Sequence, residues 1–467
     1  MENNRGQWSG NLGFTLAAIG STIGIGNLWS FPYRMGANGG LAFLAAYLAI
    51  AACCGVVLMG LEMAIGRRTK KSPILALASF GKQYKIFGIL SVACAFIIMG
   101  FYSVIIGYSL RYAAGFALEA VGRCPGFSGM DGGTFFGHFT GDVSAVALYT
   151  FIILFICSAI VSLGVKGGIE KFNRITVPAI FITLADIFFY SLTLPGASEG
   201  LKFMFTKKGL QIAGTRFSLF QTVRAAGNQA LLSLSLGAGC MITYGSYLDE
   251  KSNISKNAWI IPAADTVFSI LAGLAVFPAV FAMGQAPNEG SGLLFITLHN
   301  TFLSMGRSGN ILGIVFYTLV VFAGISSAVS FMETAVSDFI DRSMLKGSTI
   351  GRKKATALAA STMFFLSLWI CCDRLGAHSS WLPFTEGLKD IFGLYSFLTE
   401  GLFMPLAAIA MCAAIGWGSG FGFMKEEVEK QGGRFYTEGF FRICIKYITP
   451  ALMSFILLSL AASFFGK

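Results

Sequence analysis

The strongest constraint on this chain is a succession of eleven apolar stretches, at about 9–36, 41–66, 86–121, 144–164, 168–194, 217–248, 256–284, 309–341, 350–371, 386–416 and 437–464. Each approaches or exceeds the roughly 20 residues that cross a bilayer. In hydrocarbon, backbone polar groups must be satisfied within the segment, so stretches of this length are helices. The expected fold class is an all-α polytopic membrane protein. Spans 3, 8 and 10 exceed the bilayer thickness and are expected to tilt. The loops between spans are too short for a soluble domain, so residues 1–467 read as one transmembrane domain. A composition of 55% hydrophobic and 12% charged residues fits nothing else.

The net charge of +11 raises the question of nucleic acid. Its distribution answers no. With the amino terminus inside, Arg5 and residues 67–85, 166–174, 251–256, 342–354 and 425–446 collect about 22 of the 34 Lys and Arg, the positive-inside bias of a membrane protein. The expected partner is the lipid bilayer of the cell's plasma (inner) membrane, with the amino terminus cytoplasmic and Lys467 outside. No obligate protein partner is evident. The polar amino terminus runs directly into span 1, so no cleavable signal is expected. The ten cysteines lie mostly within spans, in no metal-ligand spacing. Cys124, Cys371 and Cys372 fall near the outer face, where one disulfide is possible but not deducible. The three histidines are scattered and make no site.

Two spans are spoiled. "GSTIGIGNLWSFPYR", residues 20–34, puts three glycines, an asparagine and a proline into an apolar run. "GNQALLSLSLGAGCMITYGSYL", residues 227–248, interrupts span 6 at Ser233, Ser235, Gly237 and Gly239. A glycine inside a helix costs about 1 kcal/mol relative to alanine. Matched interruptions five spans apart point to an inverted-repeat transporter with its site at the breaks. The halves would be spans 1–5 (about 9–194) and 6–10 (about 217–416), with span 11 (about 437–464) added. No residue-by-residue repeat is visible, so the symmetry rests on hydropathy and break positions. Unwound backbone offers carbonyls to a hard cation and amides to an anion, and half-helix ends add their dipoles. A zwitterionic amino acid with sodium suits both ends. Three further residues stand out. Asp265 is an intramembrane carboxylate, which is costly and marks function by default. Ser326 and Ser327 follow Gly324 in an apolar helix, and Tyr102 lies deep in span 3.

These motifs, with "GVKGGIEKFNRITVP", "SLTLPGASEG" and "FAGISSAVSFMET", resemble the neurotransmitter:sodium symporter family, above all its bacterial eleven-span amino-acid transporters. The likeness runs from Arg5 to span 11. It implies a first sodium site made by the Thr22 carbonyl, Asn27, Ser233, Asp265 and the substrate carboxylate. It implies a second made by the carbonyls of Gly20, Ile23 and Ala323 with the hydroxyls of Ser326 and Ser327. The substrate carboxylate would meet the amides of Ile25 and Gly26 and the Tyr102 hydroxyl. Its ammonium would face the carbonyls of Thr22, Leu232 and Ser233, near Ser235. Ile98, Tyr102, Leu232, Ala238, Ser327 and Phe331 would line the side-chain pocket. Family members that carry monoamines have an aspartate where this chain has Gly24, so a substrate bringing its own carboxylate is expected. Ala238 and Leu232 enlarge the pocket and Phe331 partly refills it, which favours a large hydrophobic or aromatic amino acid.

The resemblance also implies an inner gate of Arg5 paired with Asp341, with Trp8 and Tyr247 close by. The outer gate departs from the family pattern: Ser30 and Ser396 stand where a basic residue and an aspartate are usual. Arg34, one turn further out, is expected to pair with Glu386 or Asp390. Glu62 matches a family carboxylate that braces the broken helices. Gly168 and Pro178 form a Gly-x9-Pro pattern, and the missing donor of the proline invites unwinding towards the second sodium site. Asp186, read as mid-span 5, has no partner the sequence can name. The expected function is secondary active symport of an α-amino acid with sodium, not enzymatic catalysis. The alternative is a proton-coupled permease of similar fold, using Asp265 or Asp186. A sensing receptor would need a signalling domain, and none is visible. Tyr47, Gln229, Ser233, Asp265 and Ser269 match the family's chloride position. An aspartate there supplies the negative charge itself, so transport is expected to be independent of chloride.

Overall fold

The computed structural model describes residues 6–122, 126–127, 129–194, 196–206, 218–282, 284, 292–376, 390–430 and 434–465, apart from the side chains of residues 293 and 461–465. Among these residues every regular element is a helix. Among the described residues nine helices are long and apolar enough to span a membrane: Leu41–Thr69, Lys82–Val121, Val143–Ser162, Val165–Ser191, Ile254–Ala282, Gly306–Leu345, Arg352–Cys372, Ile391–Gly418 and Glu438–Leu460. They are spans 2–5 and 7–11 of the sequence. Span 1 is two helices, Asn11–Thr22 and Gly26–Ala37, bent by 45°. Span 6 is also divided, into Leu219–Ser233 and Cys240–Ser246. The division falls at Ser233–Gly239, where the serines and glycines of the sequence place the second break.

Burial separates a centre from a rim. Spans 3 and 8 are 72% and 67% buried over their most apolar windows, whereas spans 4, 5 and 11 are only 28%, 33% and 33% buried. The rim turns Phe151, Phe155, Ile175, Ile182, Phe189 and Leu458 outward. An apolar surface of that extent belongs in lipid, so this is a multi-pass membrane protein. The divided spans 1 and 6 have their breaks fully inside, where freed backbone groups are met by protein rather than lipid.

Span 3, counting the 3-10 turn Lys82–Tyr84 that opens it, and span 8 are each 40 residues long, and two short helices pack on them. Asp131 starts the helix Gly132–Gly141 by accepting from the amides of Gly133 and Thr134. Against it packs Leu298–Ser304, whose His299 sits among the rings of Tyr112, Phe116, Phe127 and Phe135, at centroid distances of 4.2–5.8 Å. Neither ring nitrogen of His299 finds a hydrogen-bond partner among the described residues. Burial outweighs nearby Asp131 and lowers the His299 pKa from 6.5 to about 4. The folded protein therefore binds fewer protons than the unfolded chain between those values, and stability falls as pH drops through that window. Thermal unfolding from pH 7 to pH 4.5 should show a steeper loss for the wild type than for His299→Phe. Parallel curves would mean that His299 does not carry the acid sensitivity.

Candidate functional site

The two breaks meet each other. The first half of span 1 ends at Thr22, and Ile23 is extended (φ −76°, ψ 109°). The Gly24 amide then donates to Asn27 Oδ1 at 2.9 Å, and the Ile25 amide donates to the Tyr102 hydroxyl at 2.8 Å. A β-carbon on Gly24 would collide with that hydroxyl and lie 3.0 Å from the Ser327 β-carbon. Glycine is thus required there by close approach. In span 6 the chain turns at residues 234–239. Gly237 has φ +81°, and a β-carbon on it would come 2.5 Å from the Met404 carbonyl oxygen of span 10. Its amide donates to Glu62 Oε1 at 2.6 Å, so the carboxylate from span 2 braces the break. Ser235 lies in the left-handed region (φ +53°), and its hydroxyl reaches the Ser21 carbonyl at 3.4 Å. A non-glycine residue held there is strained backbone of the kind that collects at functional sites.

One polar cluster lies beside the breaks. Asn27, Tyr47, Asp265 and Ser269 are completely buried and Ser233 nearly so. Asn27 Nδ2 faces Asp265 Oδ1 at 2.8 Å, Ser269 Oγ at 2.8 Å and Ser233 Oγ at 2.9 Å. Ser233 Oγ lies 2.8 Å from both Asp265 oxygens, and the Tyr47 hydroxyl donates to Asp265 Oδ2 at 2.9 Å. An amide has two hydrogens, so three oxygens at bonding distance exceed what it satisfies. The Asn27 carbonyl oxygen meanwhile accepts from Gly24. Gln229, expected in this group, turns elsewhere: it donates to the Gly26 carbonyl at 2.8 Å and accepts from Ser30 at 2.9 Å.

A second cluster lies where the first half of span 1 meets spans 5 and 8. Ser326 is buried and donates to Asn173 Oδ1, and both press against Gly20. Ser327 faces Gly24. Ala323 and Ile23 are fully buried. Asn173 was missed by sequence reasoning, because it lies in the charged stretch that opens span 5. Its signal was a short amide between Gly168 and Pro178. Span 5 is wound through that pattern, with a π-helical turn at Val165–Glu170 and Pro178 inside the helix that follows. The unwinding expected there is not present in this conformation.

A cavity of about 370 Å³ reaches Ile25, Gly26, Tyr102 and half-buried Leu232 at one end and Arg34 and Glu400 at the other. Of the other expected pocket residues, Ile98, Ala238, Ser327 and Phe331 are buried off its wall. Phe331 packs edge-on to Tyr102 at 6.1 Å. Arg34 forms an ion pair with Glu400 of span 10. This corrects the expected partners. Asp390 caps span 10 through the Gly393 amide, and Glu386 lies outside the described residues. Glu400 stands one helical turn after Ser396, as Arg34 stands one turn after Ser30.

At the other end Trp8 donates to the Tyr244 carbonyl at 3.0 Å and meets the Tyr247 ring edge-on at 6.3 Å. Tyr247 and Asp341 share a cavity of about 270 Å³. The Tyr247 hydroxyl donates to Glu333 at 2.7 Å, and Glu333 also pairs with Arg352. Asp341 accepts from the Ser72 amide at 2.7 Å. Glu333 and Arg352 were not anticipated, and Arg5 lies outside the described residues. Asp186 is exposed on the rim, within two turns of the end of span 5 at Ser191, so it is neither mid-span nor inward-facing. Cys371 and Cys372 carry free thiols, and Cys124 lies outside the described residues.

The family model described as "Sodium:neurotransmitter symporter family" matches residues 5–119 and 138–466. An uncharacterized sodium-dependent transporter of Methanocaldococcus jannaschii is 35% identical over 446 residues, covering 91% of this chain and 84% of that protein. A second uncharacterized sodium-dependent transporter, YhdH of Bacillus subtilis, is 32% identical over 405 residues, covering 86% of each. Among solved structures, MhsT in complex with L-phenylalanine superposes with a TM-score of 0.87 at 33% identity, covering 98% of this chain and 100% of that one.

The ion pair that lines the 370 Å³ cavity is open to test. The Arg34 and Glu400 side chains are only 14% and 6% exposed. Removing one member of a buried pair costs about 3–5 kcal/mol because the other charge is left unpaired. Glu400→Gln and Arg34→Met should each lower the thermal midpoint in detergent, and Arg34→Glu combined with Glu400→Arg should recover most of the loss. Additive losses in the swapped protein would show that the two side chains are not a working pair.

Proposed function

The chain belongs to the sodium:neurotransmitter symporter family, so it is a sodium-dependent symporter and not an enzyme, and we propose that it carries an α-amino acid with a large hydrophobic or aromatic side chain inward with sodium. Family membership sets aside the proton-coupled alternative. The observation that carries the proposal is the convergence of Asn27, Ser233, Asp265 and Ser269 on one buried point beside the two breaks. Carboxylate, hydroxyl and amide oxygens are the ligands a hard cation takes, and the Asn27 amide joins them by turning its oxygen from Gly24 to that point. Asp265 supplies the charge that offsets sodium in a low-dielectric centre.

The first sodium would take oxygens of Thr22, Asn27, Ser233 and Asp265. The second would take Gly20, Ile23, Ala323, Ser326 and Ser327. A carboxylate is favoured as the substrate's head because the cavity wall carries the Ile25 amide, which donates to the Tyr102 hydroxyl at 2.8 Å, and that hydroxyl, two donors that a carboxylate would take over. The cramped space at Gly24 leaves no room for an acidic partner to an amine-only substrate. An aromatic side chain suits a cavity walled by Tyr102, Trp29 and Phe101, with Phe331 packed behind Tyr102, and a relative of the same fold, MhsT, is solved in complex with L-phenylalanine. The proposed setting is the plasma membrane, amino terminus inside, with 1–467 acting as one inverted-repeat unit that alternates access.

Two measurements test this. Sodium should tighten substrate binding and substrate should tighten sodium binding by the same factor, since linkage is reciprocal. Calorimetric titration of L-phenylalanine and other amino acids in sodium and in potassium decides it, and equal affinities in both would sink the coupling. Uptake into proteoliposomes should persist when gluconate replaces chloride. Asp265→Asn should weaken uptake and make the remainder respond to chloride. Collapse of wild-type uptake in gluconate would reduce Asp265 to a sodium ligand alone.

A further inference from the structure

We propose that Asn173 of span 5 is a positioning residue for sodium: it accepts the hydrogen bond of the Ser326 hydroxyl and thereby turns the oxygen lone pairs of Ser326 towards the ion. This rests on the reading that Ser326 and Gly20 belong to a sodium site. A serine hydroxyl has one proton and two acceptor sites. In an apolar helix its ordinary resort is the carbonyl three or four residues back. Ser330, Thr334 and Ser337 on the same span do this, at 2.7, 2.9 and 3.0 Å. Ser326 instead donates across to span 5, to Asn173 Oδ1.

The amide is itself held in one orientation. Asn173 Nδ2 donates to the Ile169 carbonyl at 2.8 Å, which aims Oδ1 at Ser326. Asn173 and Ser326 are both fully buried, so no water competes for the proton. A β-carbon on Gly20 would collide with both Asn173 Oδ1 and Ser326 Oγ, so the bare glycine brings span 1 backbone against the pair. The electrostatics follow directly. A hydroxyl free to rotate spends part of its time with the proton facing a cation, which repels it. A fixed acceptor on the far side removes that state before sodium arrives. Ile169 lies in the π-helical turn Val165–Glu170, so the orientation of Ser326 is tied to the winding of span 5.

The test uses the full-length protein in detergent without substrate. Thermal unfolding is followed against sodium chloride, with choline chloride holding ionic strength constant, and the sodium concentration giving half the stabilisation is read. Losing a net hydrogen-bond contribution of about 1 kcal/mol corresponds to roughly a five-fold change. Asn173→Ala should raise the half-stabilising sodium concentration about five-fold. Asn173→Asp keeps the acceptor and adds charge, so it should return that concentration to the wild-type value or below. Where Asn173→Ala fails to fold, Asn173→Ser, too short to reach, serves with the same expected rise. Ser326→Ala should raise it at least as much, and adding Asn173→Ala to Ser326→Ala should change it little further. A purely structural asparagine would lower the midpoint temperature equally in sodium and choline and leave the half-stabilising concentration unmoved. That result, with a clear rise in Ser326→Ala, overturns the proposal and leaves the sodium site standing. No rise in Ser326→Ala overturns both.

Discussion

The centre of this protein depends on one carboxylate, Asp265, held without exposure to solvent by Tyr47, Ser233 and Asn27. A charged group at that depth is costly unless its lone pairs are met. Here they are met by side chains from spans 1, 2 and 6, so a single residue of span 7 ties together both broken helices and a continuous one. The break in span 1 then follows from it. Asn27 has its amide nitrogen at Asp265 and its amide oxygen at the Gly24 backbone. It thus satisfies a donor that the interrupted helix left free and the carboxylate in one stroke.

The unbroken spans carry the cost of the breaks. Glu62 from span 2 receives the Gly237 amide, Tyr102 from span 3 receives the Ile25 amide, and the backbone of Met404 in span 10 leaves no room beside Gly237. Gln229 stitches the breaks to each other through the Gly26 carbonyl and Ser30. In hydrocarbon an unmet backbone group costs several kcal/mol, so these contacts are conditions for the chain to be interrupted at all. The same contacts shape the cavity, whose inner end is Ile25, Gly26 and Tyr102.

How much of this the sequence carried depends on the range of each interaction. Span positions were legible because hydropathy is summed over a local window, and the breaks because glycine and serine interrupt that window at 20–26 and 233–239. Asp265 and Glu62 were legible because a carboxylate in an apolar run is conspicuous by itself. Pairings between spans were not. Arg34 stands out in the sequence, but its expected partners, Glu386 and Asp390, lie at the outer start of span 10 and the observed one, Glu400, lies inside it, because nothing in either segment fixes how span 10 is set against span 1. Arg352 opens span 9, where a charge is ordinary, Glu333 stands three turns inside span 8, and only the packing shows them meeting Tyr247. Asn173 was hidden in the same way. Asp186 failed in the opposite direction. It was conspicuous in the sequence, yet it faces outward near a helix end, where a carboxylate reaches the interface cheaply.

The two ends of the site use the same physics with different parts. At one end Arg34 meets Glu400, and at the other Glu333 joins Arg352 and Tyr247. A paired charge in a dry contact is stable only while it stays paired or becomes wet. Opening a cavity around it wets both partners together, so separation by opening costs far less than the loss of one partner in the closed state. An ion pair therefore resists partial disruption and tolerates complete opening, which is the behaviour a gate requires. Sodium and substrate can then shift the balance between closed and open only through their different affinities for the two states. The oxygen cluster at Asn27 lies on the two broken helices, and Arg34 stands on the second half of span 1 itself. A ligand that drew the two breaks together would thus reach the Arg34–Glu400 pair through the short helix Gly26–Ala37 that carries Arg34.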